Sequence, residues 1–233
     1  MRDSRYDPRE APSYPIVEAA HYLNLPKATL RSWVLGRPYK TTQGSQNFAP
    51  LIEIADKQHK LLSFMNLVEA HVLAAIRREH KVELFKIRSA LEYTQKKLGA
   101  KRPLAEQQFE TDGVDLFVEK LGELINVSAN GQQAMREILR YHLRRIERDP
   151  RGIPIKLFPF TRTSNRNDEQ QAIVIDPAVS FGRPSLSNTG IPTAILAERY
   201  KAGDSIAMLA EDYGAQREAV EEAIRCELEL KAA

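Results

Sequence analysis

Residues 15–34 read PIVEAAHYLNLPKATLRSWV, and this stretch decides the fold. Pro15 is a good first helical residue, because its missing N–H costs nothing in a first turn. Ile16, Ala19, Ala20 and Leu23 then follow helical spacing and stop at Asn24, after which Pro26 opens a second helix with Leu30, Trp33 and Val34 facing inward, ending before Gly36 and Pro38. Residues 205–224, SIAMLAEDYGAQREAVEEAI, repeat the pattern at an offset of 190: Ile16 corresponds to Ile206, Ala20 to Ala210, Asn24 to Gly214, Leu30 to Val220 and Val34 to Ile224. A small residue in the first helix lets the second cross closely, and a turn-permissive residue four later allows the sharp bend. Apolar residues ten and fourteen further on bury the second helix. This is helix-turn-helix spacing, although a packed helix pair with no ligand has the same pattern.

Working outward, residues 1–13 are polar and read as a loose arm. Leu51, Ile52 and Ile54, a polar tip Asp56 to Lys60, then Leu61 and Leu62 predict a two-stranded hairpin over 50–63 that would serve as a wing. Helices follow over 64–79, apolar on most sides, and over 83–98, where Leu84, Ile87, Leu91 and Leu98 make a narrower stripe suited to packing or a dimer seam. A second hairpin is expected over 114–127 and a long helix over 131–148, with Arg136, Arg140, Arg144 and Arg148 repeating on one face. Residues 150–171 read as a connector, a strand is expected at 172–175, and helices from Pro192 to Tyr200, Ser205 to Tyr213 and Arg217 to Leu230 complete the chain. The predicted fold is mainly α with small β-hairpins: a winged helix-turn-helix over 14–100, a dimerising hairpin and helix over 101–149, a linker over 150–171, and a three-helix, helix-turn-helix-like module over 172–233.

Composition excludes several classes. In 233 residues, 42% hydrophobic and 28% charged, there is enough apolar side chain for a core, so general disorder is ruled out. No stretch approaches the roughly 18 apolar residues of a membrane span. The first ten residues carry no secretory signal and Cys226 stands alone, so the reading is a cytoplasmic protein without a membrane partner. Residues 1–149 hold 24 Lys and Arg against 19 Asp and Glu, whereas residues 150–233 hold 10 against 12. The front could therefore meet an anion.

The outer faces of the two motifs differ in the same sense. Around the front motif, Lys27, Thr29, Arg31 and Ser32, with Arg37 and Lys40 just after, can reach phosphates and base edges of operator double-stranded DNA. Lys57 and Lys60, at the expected wing tip, would add backbone contacts. The back motif presents Gln216, Arg217, Glu218, Glu221 and Glu222, a surface that repels phosphate and suits packing or a protein partner. Catalytic signatures are missing. The histidines His21, His59, His71, His80 and His142 lack zinc spacing, and there is no P-loop, G-x-G-x-x-G or G-x-S-x-G. Asp112, Asp115 and Glu119 surround an expected turn. No enzyme, metal site or cofactor is read from the chain.

Ile173-Val-Ile-Asp-Pro177, Ser180-Phe-Gly-Arg-Pro184, Gly190-Ile-Pro-Thr193 and the Leu-Ala-Glu-Asp-Tyr-Gly run ending at Gly214 resemble a small antitoxin domain family paired with PIN-like ribonuclease toxins. A front domain followed by this module resembles the longer VapB-type antitoxins of mycobacteria and related bacteria. The front, through Ala19-Ala20, Leu30-Arg31-Ser-Trp33 and the later Leu84 and Ile87, is similar to the winged helix-turn-helix of MerR-type regulators, but lacks their Gly-Tyr-Arg wing. The resemblance implies an antitoxin of a type II toxin-antitoxin system that neutralises a PIN-like toxin and represses its own operon as a homodimer. By analogy Phe181, Arg183 and Arg199 are the candidate toxin-binding residues, arginine being apt because its planar fork takes carboxylates bidentately. Arg183 pairing with a carboxylate of its own chain remains open, as does a stand-alone MerR-like transcription regulator with no toxin.

Overall fold

The computed structural model describes residues 7–41, 44–80, 82–161 and 171–228, leaving aside the side chains of 39–41, 44–46 and 77–80. It opens with β1 (Tyr14–Pro15), α1 (Ile16–Tyr22) and α2 (Lys27–Leu35). A hairpin of β2 (Arg37–Thr41) and β3 (Gly44–Phe48) follows, and β4 (Leu61–Leu62) pairs back onto β1. Ala19 and Ala20 are buried where α2 crosses α1, Asn24 bends the chain at φ 50°, and Leu25 N donates to Ala20 O at 2.8 Å. α2 ends at Gly36, whose φ of 73° few other residues adopt. A Cβ there would lie 2.1 Å from the Phe48 carbonyl oxygen, so glycine is what allows Arg37 to pair opposite Phe48.

The hairpin that follows the front motif therefore lies at 37–48 and not at 50–63. Leu61 and Leu62 join β1, the Leu51 and Ile52 amides both donate to the Trp33 carbonyl (2.7 and 3.1 Å), and a bridge between Asp56 and Leu61 closes the polar turn. Ile52 and Ile54 are pulled down onto the helical core instead of alternating along a strand.

α3 (Phe64–His80) is buried continuously from Phe64 to Ile76, and α4 (Leu84–Leu98) turns Leu84, Ile87 and Leu91 inward. A π-helical turn, Phe109–Gly113, runs into α5 (Val114–Ile125), which Asn126 ends in a left-handed conformation. The hairpin expected over 114–127 is thus a helix. Its buried residues Val114, Phe117, Val118, Leu121 and Gly122 recur at three- and four-residue intervals, a helical stripe that outweighs the strand-forming tendency of Val and Phe. α4 packs on α5, so the apolar stripe read as a seam is used within the chain. α6 (Ala129–Leu143), capped by the Ser128 hydroxyl, packs on α3 and α5 and stops before the expected end at Arg148. Residues Ile146–Arg148 form β5 instead, because Ile146 and Leu157 bury together when β5 pairs with β6 (Pro154–Leu157).

The connector is correspondingly shorter than 150–171: β6, Phe158 and Phe160 are packed, Leu157 bridges Ile175, and residues 162–170 lie outside the described residues. β7 (Ile173–Val174) pairs with β8 (Ser185–Leu186), and α7 (Thr193–Lys201), α8 (Ile206–Asp212) and α9 (Arg217–Leu228) complete the described chain. Among the described residues two apolar cores result. The larger runs from Tyr14 to Leu157 and includes Ile175, and the smaller gathers Ile173, Leu186, Leu196, Leu209, Val220, Ala223 and Ile224. The fold is mainly helical with small two-stranded antiparallel sheets.

Candidate nucleic-acid interface and partner surface

The internal repeat holds at the level of single hydrogen bonds. Leu25 N to Ala20 O (2.8 Å) has its counterpart in Ala215 N to Ala210 O (2.9 Å), and Leu30 N to Pro26 O (3.2 Å) in Val220 N to Gln216 O (3.1 Å). Gly214, at φ 59°, takes the conformation of Asn24. Leu30 and Val220 are both fully buried, and so, nearly, are Val34 and Ile224. α1–α2 and α8–α9 are therefore two helix-turn-helix units of one geometry.

Their outer faces carry opposite charge. On α2, Lys27 and Arg31 are exposed one turn apart, and Arg37 is exposed at the start of β2. Thr29 is half-buried, and the Ser32 hydroxyl donates to the Thr29 carbonyl at 2.8 Å, so it braces its own helix. Lys40 has its backbone in β2, and its side chain lies outside the described residues. Lys57 and Lys60 are exposed on the turn after the hairpin; Lys57 pairs with Glu53 at 2.8 Å, and Lys60 sits at φ 59°. Within that turn His59 Nδ1 lies 2.7 Å from Asp56, whose carboxyl is held below the usual range by the His59 backbone amide first and its ring second.

At the corresponding places on α9, Arg217, Glu218 and Glu221 are exposed. Glu222, read from the sequence as exposed, is buried and pairs with Arg225 at 2.5 Å. It lies beside the buried Ala223 and Ile224 on the inward side of α9.

Sequence reasoning missed the support of the hairpin. Arg88, on α4, donates to the carbonyls of Ala49 and Pro50 and lies over the Phe48 ring at 4.8 Å. A single arginine thus fastens the outgoing end of β3 to the core, and nothing in the local pattern of α4 announces it. The arginine row is likewise not one surface. Arg136 and Arg140 both reach Asp115 (2.7 and 3.4 Å), Glu119 lies 3.9 Å from Arg136, and Arg148 turns inward to Glu110 and to the carbonyls of Ala105 and Gly152. Two histidines from separate elements do meet: the His71 and His142 rings are 5.2 Å apart, with Phe160 stacked on His71. Among the described residues no group of three or more His, Cys, Asp or Glu gathers as for a metal ion, and no helix is long and apolar enough to cross a membrane.

The Ser180–Gly182 turn holds Phe181 in an unusual pose. Its side chain is 95% exposed, and both Ser180 (φ 49°) and Phe181 (φ 56°) are left-handed, a costly state for non-glycine residues. Three contacts enforce it: the Ser180 hydroxyl donates to Gly190 O (2.9 Å), Ala178 N donates to Asp176 (2.8 Å), and the buried Tyr14 hydroxyl donates to Gly182 O (3.0 Å). Arg183, next along, is exposed. Arg199 is instead an elbow brace, 2.6 Å from both Asp204 and Asp212 and stacked on Tyr213; hydrogen bonds to Tyr213, Asp212 and Asp204 push its pKa up.

Residues 12–91 match a family described as "Putative DNA-binding HTH domain", and residues 173–225 match one described as "Protein of unknown function (DUF433)". A crystal structure of Rv2018 from Mycobacterium tuberculosis shares the fold, with a TM-score of 0.66 and 24% identity over 95% of this chain and 99% of that one. A protein of Mycobacterium tuberculosis (strain H37Rv) named "Putative antitoxin VapB45" is 30% identical across 92% of this chain and 93% of its own length. With front and back motifs thus matched in a single relative of the same extent, the chain belongs to the VapB45 antitoxin family.

Proposed function

We propose that the chain is the antitoxin of a type II system, binding operator DNA through the front helix-turn-helix and a PIN-like ribonuclease toxin through the back module. The observation that carries this is the pair of matching helix-turn-helix units with opposite faces: Lys27, Arg31 and Arg37 attract phosphate, whereas Glu218 and Glu221 repel it. The β2–β3 hairpin directly after α2 stands where a wing stands, as in a MerR-like domain. Lys57 and Lys60 lie on the following turn and would add phosphate contacts beside it. A homodimer presenting two α2 helices would read half-sites about 34–36 Å apart.

On the toxin side, Phe181 offers a rigid aromatic anchor and Arg183 a guanidinium for an acidic site. Arg199, committed to two carboxylates, serves the partner surface by holding the α7–α8 elbow. The chain is co-expressed with its neighbouring gene product, purified through a tag on the neighbour, and assayed for silenced ribonuclease activity and for binding to upstream DNA. Arg31→Ala should weaken DNA binding severalfold and leave the protein complex intact, while Phe181→Ala should do the reverse. DNA binding with no captured neighbour would leave a stand-alone regulator and overturn the antitoxin reading.

A further inference from the structure

The two helix-turn-helix units share one geometry, so the outer positions at which they differ are informative. At the offset of 190, Lys27 corresponds to Arg217, Ala28 to Glu218 and Arg31 to Glu221, and all six are exposed. The first pair keeps its positive charge. The other two exchange a methyl group and a guanidinium for carboxylates, which the acceptor edge of guanine and the phosphates around it would repel. On α2 itself the residues able to read bases narrow to the same two positions. Thr29 is half-buried, and the Ser32 hydroxyl is turned back onto the Thr29 carbonyl at 2.8 Å, so Lys27, Ala28 and Arg31 are the exposed residues of this helix. All three lie in its first five positions, the part of a recognition helix that meets base edges. Arg31 makes no ion pair with any described residue, whereas Arg136 and Arg199 are committed to carboxylates of their own chain. Ala28 and Arg31 stand three residues apart on one face, with Cβ atoms about 5–6 Å from each other. Successive base pairs are about 3.4 Å apart, so the two side chains reach base pairs one or two steps from each other.

We propose that Arg31 reads a guanine and Ala28 the methyl group of a thymine one or two base pairs away, so that each half-site holds this pair of bases. The inference rests on the DNA-binding reading above and adds what the DNA must contain. The guanidinium fork donates two hydrogen bonds, to guanine O6 and N7, and the alanine methyl covers the thymine C5-methyl and excludes water from it. Lys27, first in the helix and basic in both units, contacts phosphate. The charge of Arg31 lies among phosphates whichever atoms it meets, so base preference, and not the salt slope, distinguishes reading from simple attraction.

In the test, random-sequence duplexes are selected on the full chain at fixed salt, and the tightest is remade with single changes. The selected half-sites should hold a guanine with a thymine one or two base pairs from it. Replacing that G·C pair by A·T should weaken binding at least about fivefold. Replacing the thymidine by deoxyuridine, which removes only the methyl group, should weaken it about fourfold. Both changes are made in the DNA and leave the folding of the protein untouched. Arg31→Ala should bind the G·C and A·T duplexes alike, and Ala28→Gly should bind the thymidine and deoxyuridine duplexes alike while keeping the preference for guanine. Salt-dependent binding without a selected G and T, equal binding of the thymidine and deoxyuridine duplexes by the parent, or a guanine preference that survives Arg31→Ala overturns this inference and leaves DNA binding standing. Failure to bind any duplex overturns the DNA-binding reading together with it.

Discussion

Glu69 couples stability to pH. Its carboxyl is pushed up to about 7 by burial first, with Arg102 and the Asn66 hydrogen bond working the other way, against an unfolded value near 4.5. A raised folded pKa means that the stability is fully present below about pH 4.5 and is lost as pH rises through about 7. Glu69→Gln, with the same shape and no charge, should be more stable than the parent at pH 8 by about 3 kcal/mol at most, the difference vanishing near pH 4. Urea unfolding at pH 4, 6 and 8 measures it; a gap constant over that range would show that the carboxyl titrates alike in the folded and unfolded chain, with no rise from burial. Trp33 offers a second residue-scale test. It is fully buried, its indole N–H makes no hydrogen bond to a described residue, and its carbonyl anchors residues 51 and 52. Trp33→Phe keeps the ring and removes the unmatched donor, so a loss under about 1.5 kcal/mol is expected, whereas Trp33→Ala should cost about 3–5 kcal/mol in the same assay.

Among the elements, the hairpin after α2 depends on Gly36. Gly36→Ala forces a Cβ against the Phe48 carbonyl at φ 73°, so the Arg37–Phe48 end of the hairpin must open. Hydrogen exchange of the β2–β3 amides should speed up markedly while α5 and α6 keep their protection. Both helix-turn-helix units were legible in the sequence, because burial at Ala20, Leu30 and Val34 and a left-handed turn at Asn24 each demand particular residue types at fixed spacing. The 37–48 hairpin was not legible. Its strands, RPYKT and GSQNF, have no alternating apolar face, and their pairing is imposed from outside by Gly36 and Arg88. α5 was misread because Val114, Leu116 and Val118 alternate over its first turn, whereas the buried stripe emerges only when Leu121 and Gly122 are included. Of the candidate site residues, Lys27 and Arg31 could be placed on the exposed face of α2 from helical period alone. That Arg199 would be bound by Asp204 and Asp212 could not be, since both partners lie across a turn.

For the molecule as a whole, opposite charge on two similar units makes salt the discriminating variable. DNA affinity should fall steeply with salt, and Arg31→Ala should lower the slope of log K against log salt by about one, whereas binding of a protein partner at Phe181 should depend on salt only weakly. The two ends are also joined directly. Tyr14, which begins the front motif and pairs with Leu62, donates its buried hydroxyl to Gly182 in the turn that displays Phe181. Gly182 has no room for a side chain there, since a Cβ would fall 2.1 Å from the tyrosine oxygen. Such a joint should restrict which front and back modules can be exchanged. A back module transplanted onto another front domain should arrive properly seated only if a tyrosine waits at the position of Tyr14, and a chimera assembled without that match should lose the pose of Phe181 before it loses either core.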